Sequence, residues 1–211
     1  MGLAPPPPTV GVILAGGLSR RMGGGDKSLL TIGERTLVQC VAERLAVQCA
    51  RLILNVNGDP ARFDDMNLPI VPDTLADHPG PLAGILAALE WAAVHAPSVE
   101  WVVSVPGDTP FIPGDLVERL HEDRRASGLP LVCASSASRR HFAVGLWPVS
   151  LRHDLRSAMV GRGTRSIREW AGPHGLAEAS WPEDPVDPFF NVNTPDELDR
   201  ARALAQRKDF P

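Results

Sequence analysis

The stretch with the most capacity for chemistry is Leu14-Ala-Gly-Gly-Leu-Ser-Arg-Arg-Met-Gly-Gly-Gly-Asp-Lys27. Five glycines (Gly16, Gly17, Gly23, Gly24, Gly25) would let backbone N–H groups approach phosphate oxygens with no Cβ in the way. Arg20, Arg21 and Lys27 supply local positive charge. The 211-residue chain has a net charge of −4, so no broad basic field attracts nucleic acid, and an anion must be gripped by such a cluster. Glycine and arginine would equally suit a flexible surface connection; their place directly after an apolar run favours the phosphate reading. The stretch is not a Walker A loop. Asp26 intervenes in Gly25-Asp-Lys-Ser28, putting a carboxylate where a triphosphate would lie, and Thr31-Ile-Gly-Glu34 separates the loop from the next helix. The dinucleotide fingerprint GxGxxG is also missing.

Asp108 is the second candidate, in Ser104-Val-Pro-Gly-Asp-Thr-Pro-Phe-Ile-Pro113, just past an apolar strand. A carboxylate at a strand end, facing a triphosphate, is how a hard oxygen-ligand cation such as Mg²⁺ is held. Asp-Thr-Pro also favours turns, but beside the glycine-rich loop the metal reading gains ground. Asp73 in Val71-Pro-Asp-Thr and Asn55 in Leu54-Asn-Val-Asn57 each end a strand. Either could hydrogen-bond a base or ribose, and a carboxylate suits the paired N–H donors of guanine. Taken alone, each is better read as forming a turn. Asn191-Val-Asn193 alternates so that both amides would share one face of a strand, toward a substrate or simply ahead of the last helix.

Other chemistries find no support. The six histidines make no metal spacing, and no GxSxG elbow is present. Cys40, Cys49 and Cys133 show no CxxC pair; an odd, scattered set fits buried thiols in a reducing cytoplasm. No apolar run approaches the ~20 residues needed to span a bilayer. The N-terminus lacks a positive leader, its first basic residue being Arg20, and Pro6 breaks the myristoylation pattern. A cytoplasmic protein is expected.

The elements that must position these residues alternate strand and helix. Residues 1–9 are expected to form a disordered, proline-rich lead-in, and residues 10–211 a single domain. Val10–Ala15 reads as a strand covered on both faces. Thr36 opens a helix with Gln39 completing a capping box. Strands are expected at Leu52–Val56, Pro69–Pro72, Trp101–Val105, Leu129–Ala134 and Phe142–Trp147. Helices are expected at Pro81–His95, Asp115–Arg125, Leu151–Val160 and Thr164–Trp170. Phe189–Val192 reads as a closing strand before a helix capped by Thr194, with Pro195 and Glu197 in its first turn. Such alternation predicts an α/β fold, a three-layer α/β/α sandwich with a mostly parallel sheet. Ligands then sit beyond the carboxyl ends of the strands, which gathers Gly16–Lys27, Asn55, Asp73, Asp108 and Asn191–Asn193 around one crevice.

Taken together, these residues resemble a known family. Val12 to Lys27 is similar to the signature of the molybdenum cofactor guanylyltransferases. Three further segments match in order: Asp73 with His78-Pro-Gly-Pro-Leu-Ala-Gly84, Pro106-Gly-Asp-Thr-Pro110, and Phe190-Asn-Val-Asn-Thr-Pro195. The first motif alone indicates the wider nucleotidyltransferase superfamily, with its Rossmann-like nucleotide-diphospho-sugar transferase fold. The resemblance implies transfer of GMP from GTP to the phosphate of molybdopterin or Mo-molybdopterin, with Mg²⁺ as cofactor. It implies that Leu14, Ala15, Gly16, Gly17 and Lys27 bind GTP, with Asn55 and Asp73 completing the nucleotide site. Asp108 would bind the metal, Lys27 and Arg21 would neutralise the triphosphate, and Asn191 and Asn193 would face molybdopterin. Molybdenum cofactor insertion proteins and molybdoenzymes are the implied protein partners; nucleic acid and membrane are not. Ser28 departs from the family's common glycine, and the polar segment Ser135–Arg140 resembles nothing assignable. A cytidylyltransferase is the nearest rival, but its loop usually begins Leu-Ala-Ala-Gly where this chain has Leu14-Ala-Gly-Gly17. A cofactor carrier would need neither Lys27 nor Asp108.

Overall fold

The structure is a computed structural model that describes residues 5–15, 26–76, 80–184 and 186–206. Its strands are β1 (Thr9–Leu14), β2 (Thr31–Ile32), β3 (Arg35–Thr36), β4 (Arg51–Asn55), β5 (Ile70–Val71), β6 (Trp101–Pro106), β7 (Leu131–Ser136), β8 (Arg139–Pro148) and β9 (Leu176–Trp181). The helices are α1 (Leu37–Ala46), α2 (Pro81–His95), α3 (Leu116–Ser127), α4 (Arg152–Gly161), α5 (Ile167–Ala171) and α6 (Pro195–Ala205). Seven strands form one sheet in the order β5-β4-β1-β6-β8-β7-β9. Every neighbouring pair is parallel except those involving β8, which runs against both β6 and β7. β2 and β3 make a separate hairpin.

Alternation along the central strands decides the layers. On β1, Val10 and Val12 face a cluster built with α2, α4 and α5, through Leu86, Leu155 and Trp170. Ile13 faces the opposite cluster, built with α1 and α3 through Val41, Leu45 and Leu120. The expected three-layer sandwich is the observed one. α2 is buried almost all round, from Leu82 to Leu89, and its sequence is accordingly apolar on every side. A third, smaller cluster joins α6 to the hairpin and to the loop after β6, through Ile32, Phe111, Val192 and Leu198.

The capping box expected at Thr36 forms, and the cap expected at Thr194 is a capping box as well. Thr36 accepts from the Gln39 amide while the Gln39 side chain accepts from Thr36, and Thr194 and Glu197 do the same for α6. Three expectations need correction. β9 went unread. Phe189–Val192 is not a strand: Phe189 and Phe190 turn into different apolar clusters, so the run spans a bend. β1 also begins at Thr9, inside the stretch expected to be the lead-in.

At the amino end of the sheet, the Thr9 hydroxyl donates to the Pro7 carbonyl at 2.8 Å and therefore accepts from the fully buried His121 Nε2, also at 2.8 Å. Burial, reinforced by Arg124 and Arg125, lowers the His121 pKa to about 4. Among the described residues no helix is long and apolar enough to cross a membrane. Cys40 and Cys49 are half-buried and Cys133 is buried, all three unpaired; burial pushes Cys49 and Cys133 up to about 12, which leaves them inert thiols.

Candidate active site

Parallel pairing in register brings the carboxyl ends of β4, β1 and β6 to one edge: Leu14 lies beside Asn55 on one side and Pro106 on the other. The chain continues the sheet pattern for one more bond on each side. Ala15 donates to the Asn55 carbonyl and Gly107 donates to the Leu14 carbonyl, both at 2.9 Å. Asp108 therefore follows directly beyond the sheet edge, next to the end of β1.

Lys27, at the start of a short 3-10 turn, reaches this carboxylate: Nζ lies 3.1 Å from Asp108 Oδ2. It also donates to Asn193 Oδ1. Asn191 Nδ2 donates to the other carboxylate oxygen at 3.1 Å, and the Val192 amide donates to the Asp108 carbonyl at 2.9 Å. Four side chains separated by up to 166 positions thus meet at one point. The two asparagines do so from a coil rather than a strand, because Val192 between them is anchored in the α6 cluster. Lys27 and Asp108 keep 20% and 17% of their side-chain surface, so the pair is reachable from solvent. Two hydroxyls next to it, Ser28 Oγ and Thr109 Oγ1, are buried with no partner among the described residues. Unmet oxygens beside a charged pair are what a ligand with its own donors and hard cation would satisfy.

The second half of the edge is built on Asp73, which follows β5. Its Oδ1 accepts from Asn55 Nδ2 at 2.9 Å and its Oδ2 from Asn57 Nδ2 at 2.7 Å, while its amide donates to Asn57 Oδ1 at 2.9 Å. Asn55 is 5% exposed, and its second amide hydrogen goes to the Val71 carbonyl at 3.0 Å. Asn55 thus stands behind Asp73. α2 makes room for it at Gly84, where a Cβ would lie 2.3 Å from Asn55 Oδ1 and 2.7 Å from Leu14 Cδ2.

Sequence reasoning missed three contributors: Gly84, Asn57 and Arg62. Gly84 was legible only as part of a motif, because its role is the space it leaves. Arg62 pairs with Asp26 and holds that carboxylate, with 4% of its side chain exposed, at the residue before Lys27. Arg62 Nε and a second guanidinium nitrogen donate to the Asp59 and Asn57 carbonyls at 2.9 and 3.0 Å. The carboxylate that argued against a Walker A loop is thereby paired with a guanidinium. Gly16, Gly17, Arg20, Arg21, the glycines at 23–25 and His78 lie outside the described residues. No cluster of three or more metal-ligating His, Cys, Asp or Glu exists among the described residues, so a cation here would rest on Asp108 and on oxygens brought by the substrate.

A lysine after β1 paired with a carboxylate after β6, at the carboxyl edge of a mostly parallel sheet, marks the class of protein: a nucleotidyltransferase. The MobA-like NTP transferase domain matches residues 11–177. The chain is 52% identical over 199 residues to a protein of Nitrobacter hamburgensis named molybdenum cofactor guanylyltransferase, covering 94% of this chain and 95% of that one. A protein of the same name from Rhodopseudomonas palustris strain HaA2 is 48% identical over 206 residues, covering 98% and 96%. The chain belongs to the MobA-like NTP transferase family and, within it, to the molybdenum cofactor guanylyltransferases. Among solved structures, molybdopterin-guanine dinucleotide biosynthesis protein A from Archaeoglobus fulgidus superposes with a TM-score of 0.71 at 22% identity, over 93% of this chain and 98% of that one. A CMP:2-keto-3-deoxy-manno-octonic acid synthetase complexed with CTP gives 0.72 at 17%, over 94% and 98%. The two share the Rossmann-like α/β fold seen here.

Proposed function

We propose that the protein transfers GMP from GTP to the terminal phosphate of molybdopterin, forming molybdopterin guanine dinucleotide and pyrophosphate. The observation that carries this reading is the meeting of Lys27, Asp108, Asn191 and Asn193 at one solvent-accessible point on the sheet edge. A phosphate-monoester oxygen of molybdopterin attacks the α-phosphorus of GTP; the bond to the bridging oxygen of the β-phosphate breaks, and pyrophosphate leaves with that electron pair. The monoester is already anionic at pH 7, so no side chain need act as a strong base, which suits a site with no histidine among its described side chains. The protein contributes position and charge. Lys27, together with Arg21, neutralises the triphosphate. Gly16, Gly17, Leu14 and Ala15 present backbone to the phosphates. Asp73, braced by Asn55 and Asn57, accepts from the base, while Asn191 and Asn193 orient the pterin substrate.

Asp108 would hold Mg²⁺, with the neighbouring hydroxyls of Ser28 and Thr109 within its surroundings; the ion would supply charge neutralisation on the phosphate oxygens. A cytoplasmic setting fits the three unpaired thiols. Molybdenum insertion proteins and molybdoenzymes would take up the product. Pyrophosphate release should be measured from GTP, CTP and ATP with Mg²⁺ and molybdopterin present together. Release with GTP alone is expected. Preference for CTP would overturn the base assignment, and silence with all three would favour a carrier.

A further inference from the structure

The polar segment after β7 joins the site through a buried chain of hydrogen bonds. Ala137 and Ser138 have φ of 40° and 67°, the left-handed pair of a tight hairpin turn between β7 and β8. This turn leaves Ser136 and His141 inside, at 1% and 8% exposure. Ser136 Oγ lies 2.8 Å from Asp187 Oδ1 and 2.7 Å from His141 Nε2. A carboxylate only accepts, so the single hydroxyl hydrogen goes to Asp187, and His141 Nε2 must carry the proton it offers to Ser136. Burial lowers the His141 pKa, in keeping with a neutral ring.

The order of groups rules out a hydrolytic triad. There the imidazole takes the serine's proton; here it presents one to the serine, and the acid sits on the wrong partner. What the chain does instead is hold the segment leading to the substrate-side asparagines. Asp187 Oδ1 also accepts from the Phe189 amide at 2.9 Å, and the Asp187 carbonyl accepts from Phe190 at 3.1 Å. The Phe189 ring packs 4.9 Å from His141 and 5.2 Å from Trp181. Asn191 follows two residues later and takes hold of Asp108.

We infer that Ser136, acting through Asp187, is a positioning residue for the arm that carries Asn191 and Asn193, and so tunes the pterin-phosphate half of the reaction more than the nucleotide half, which the arm meets only through Lys27 and Asp108. The inference rests on the assignment of that arm to molybdopterin. In the 211-residue chain, Ser136→Ala should raise KM for molybdopterin about tenfold with KM for GTP changed far less, since small displacements of positioning groups are costly. It should also speed amide exchange at Val192 and Asn193 while β1 amides exchange as before. Asp187→Asn, which keeps an accepting oxygen, should behave nearly as the parent; Asp187→Ala should reproduce the Ser136→Ala split and serves if that variant does not fold. Equal losses for both substrates, or unchanged exchange at Val192 and Asn193, would overturn the inference. Asn193→Ala separates the two levels. Unchanged molybdopterin KM there removes the arm assignment and the positioning role with it; a raised KM there beside a normal Ser136→Ala enzyme removes the positioning role alone.

Discussion

The neighbouring strands β1 and β6 end in opposite ways. At their amino ends, Thr9, His121 and the Trp101 ring close against one another, with the His121 ring edge-on to Trp101 at 5.7 Å and Arg124 over that indole at 4.5 Å. His121 Nδ1 is left buried with no partner among the described residues. At their carboxyl ends, Lys27 and Asp108 pair in partial reach of water, and the unmet groups are hydroxyls. An unmet polar atom at the closed end is a standing cost in stability. At the open end the unmet hydroxyls of Ser28 and Thr109 each adjoin, in sequence, a member of the solvent-reached Lys27–Asp108 pair. One sheet therefore separates the chemistry of holding together from the chemistry of reacting, and substitutions at the two ends should separate in the same way.

The largest expected effect is at the open end. Asp108→Ala should lower kcat by about a thousandfold with circular dichroism and Tm nearly unchanged, because the Val192 contact uses the Asp108 backbone carbonyl. Full activity at saturating GTP would sink the metal assignment. Lys27→Ala should cut kcat/KM for GTP about a hundredfold, again without loss of fold; steady-state kinetics at fixed molybdopterin would check it.

At the closed end the expected effect is on stability alone. The folded pKa of His121, about 4, lies below its ordinary 6.5. Between those values the unfolded chain binds a proton that the folded chain does not, so stability is complete above pH 6.5 and falls as pH drops toward 4. His121→Gln, which can still donate to Thr9, should flatten this decline, worth about 3 kcal/mol near pH 4. Thermal melts from pH 4 to 8 would measure it; an identical acid slope would show that His121 does not titrate this way. The smallest effect belongs to Gly84→Ala, which tests whether packing at the open end reaches chemistry. The added methyl must displace Asn55 or Leu14. It should cost about 1–2 kcal/mol of stability and narrow the preference for GTP over CTP by a few fold. Unchanged selectivity would detach Asn55 and Asp73 from base reading.

Legibility in the sequence followed locality. β1, β4 and β6 were readable because buried parallel strands are continuous apolar runs, and that placed Lys27, Asn55, Asp73 and Asp108 on one edge. β9 was not: Leu176-Ala-Glu-Ala-Ser-Trp181 buries only Ala179 and Trp181 fully, and its pairing partner β7 lies some forty residues earlier. Phe189-Phe-Asn-Val192 misled in the other direction, since adjacent aromatics read as a strand whether they share a sheet or straddle a bend. Arg62 offered no local sign of its pairing with Asp26, and Ser136 none of its bond to Asp187, because each partner lies dozens of residues away in sequence. Motif resemblance pointed to these residues; it said little about what holds them in place.

One feature of α6 bears on how the protein would fail in heat. Glu197 Oε2 accepts from both the Asn193 and Thr194 amides, at 2.7 and 2.9 Å. The residue that touches Lys27 is therefore also part of the helix cap, and fraying of the first turn releases both. Inactivation on warming would then set in below the temperature at which the sheet melts, and reverse on cooling, giving the protein a built-in ceiling on its working range.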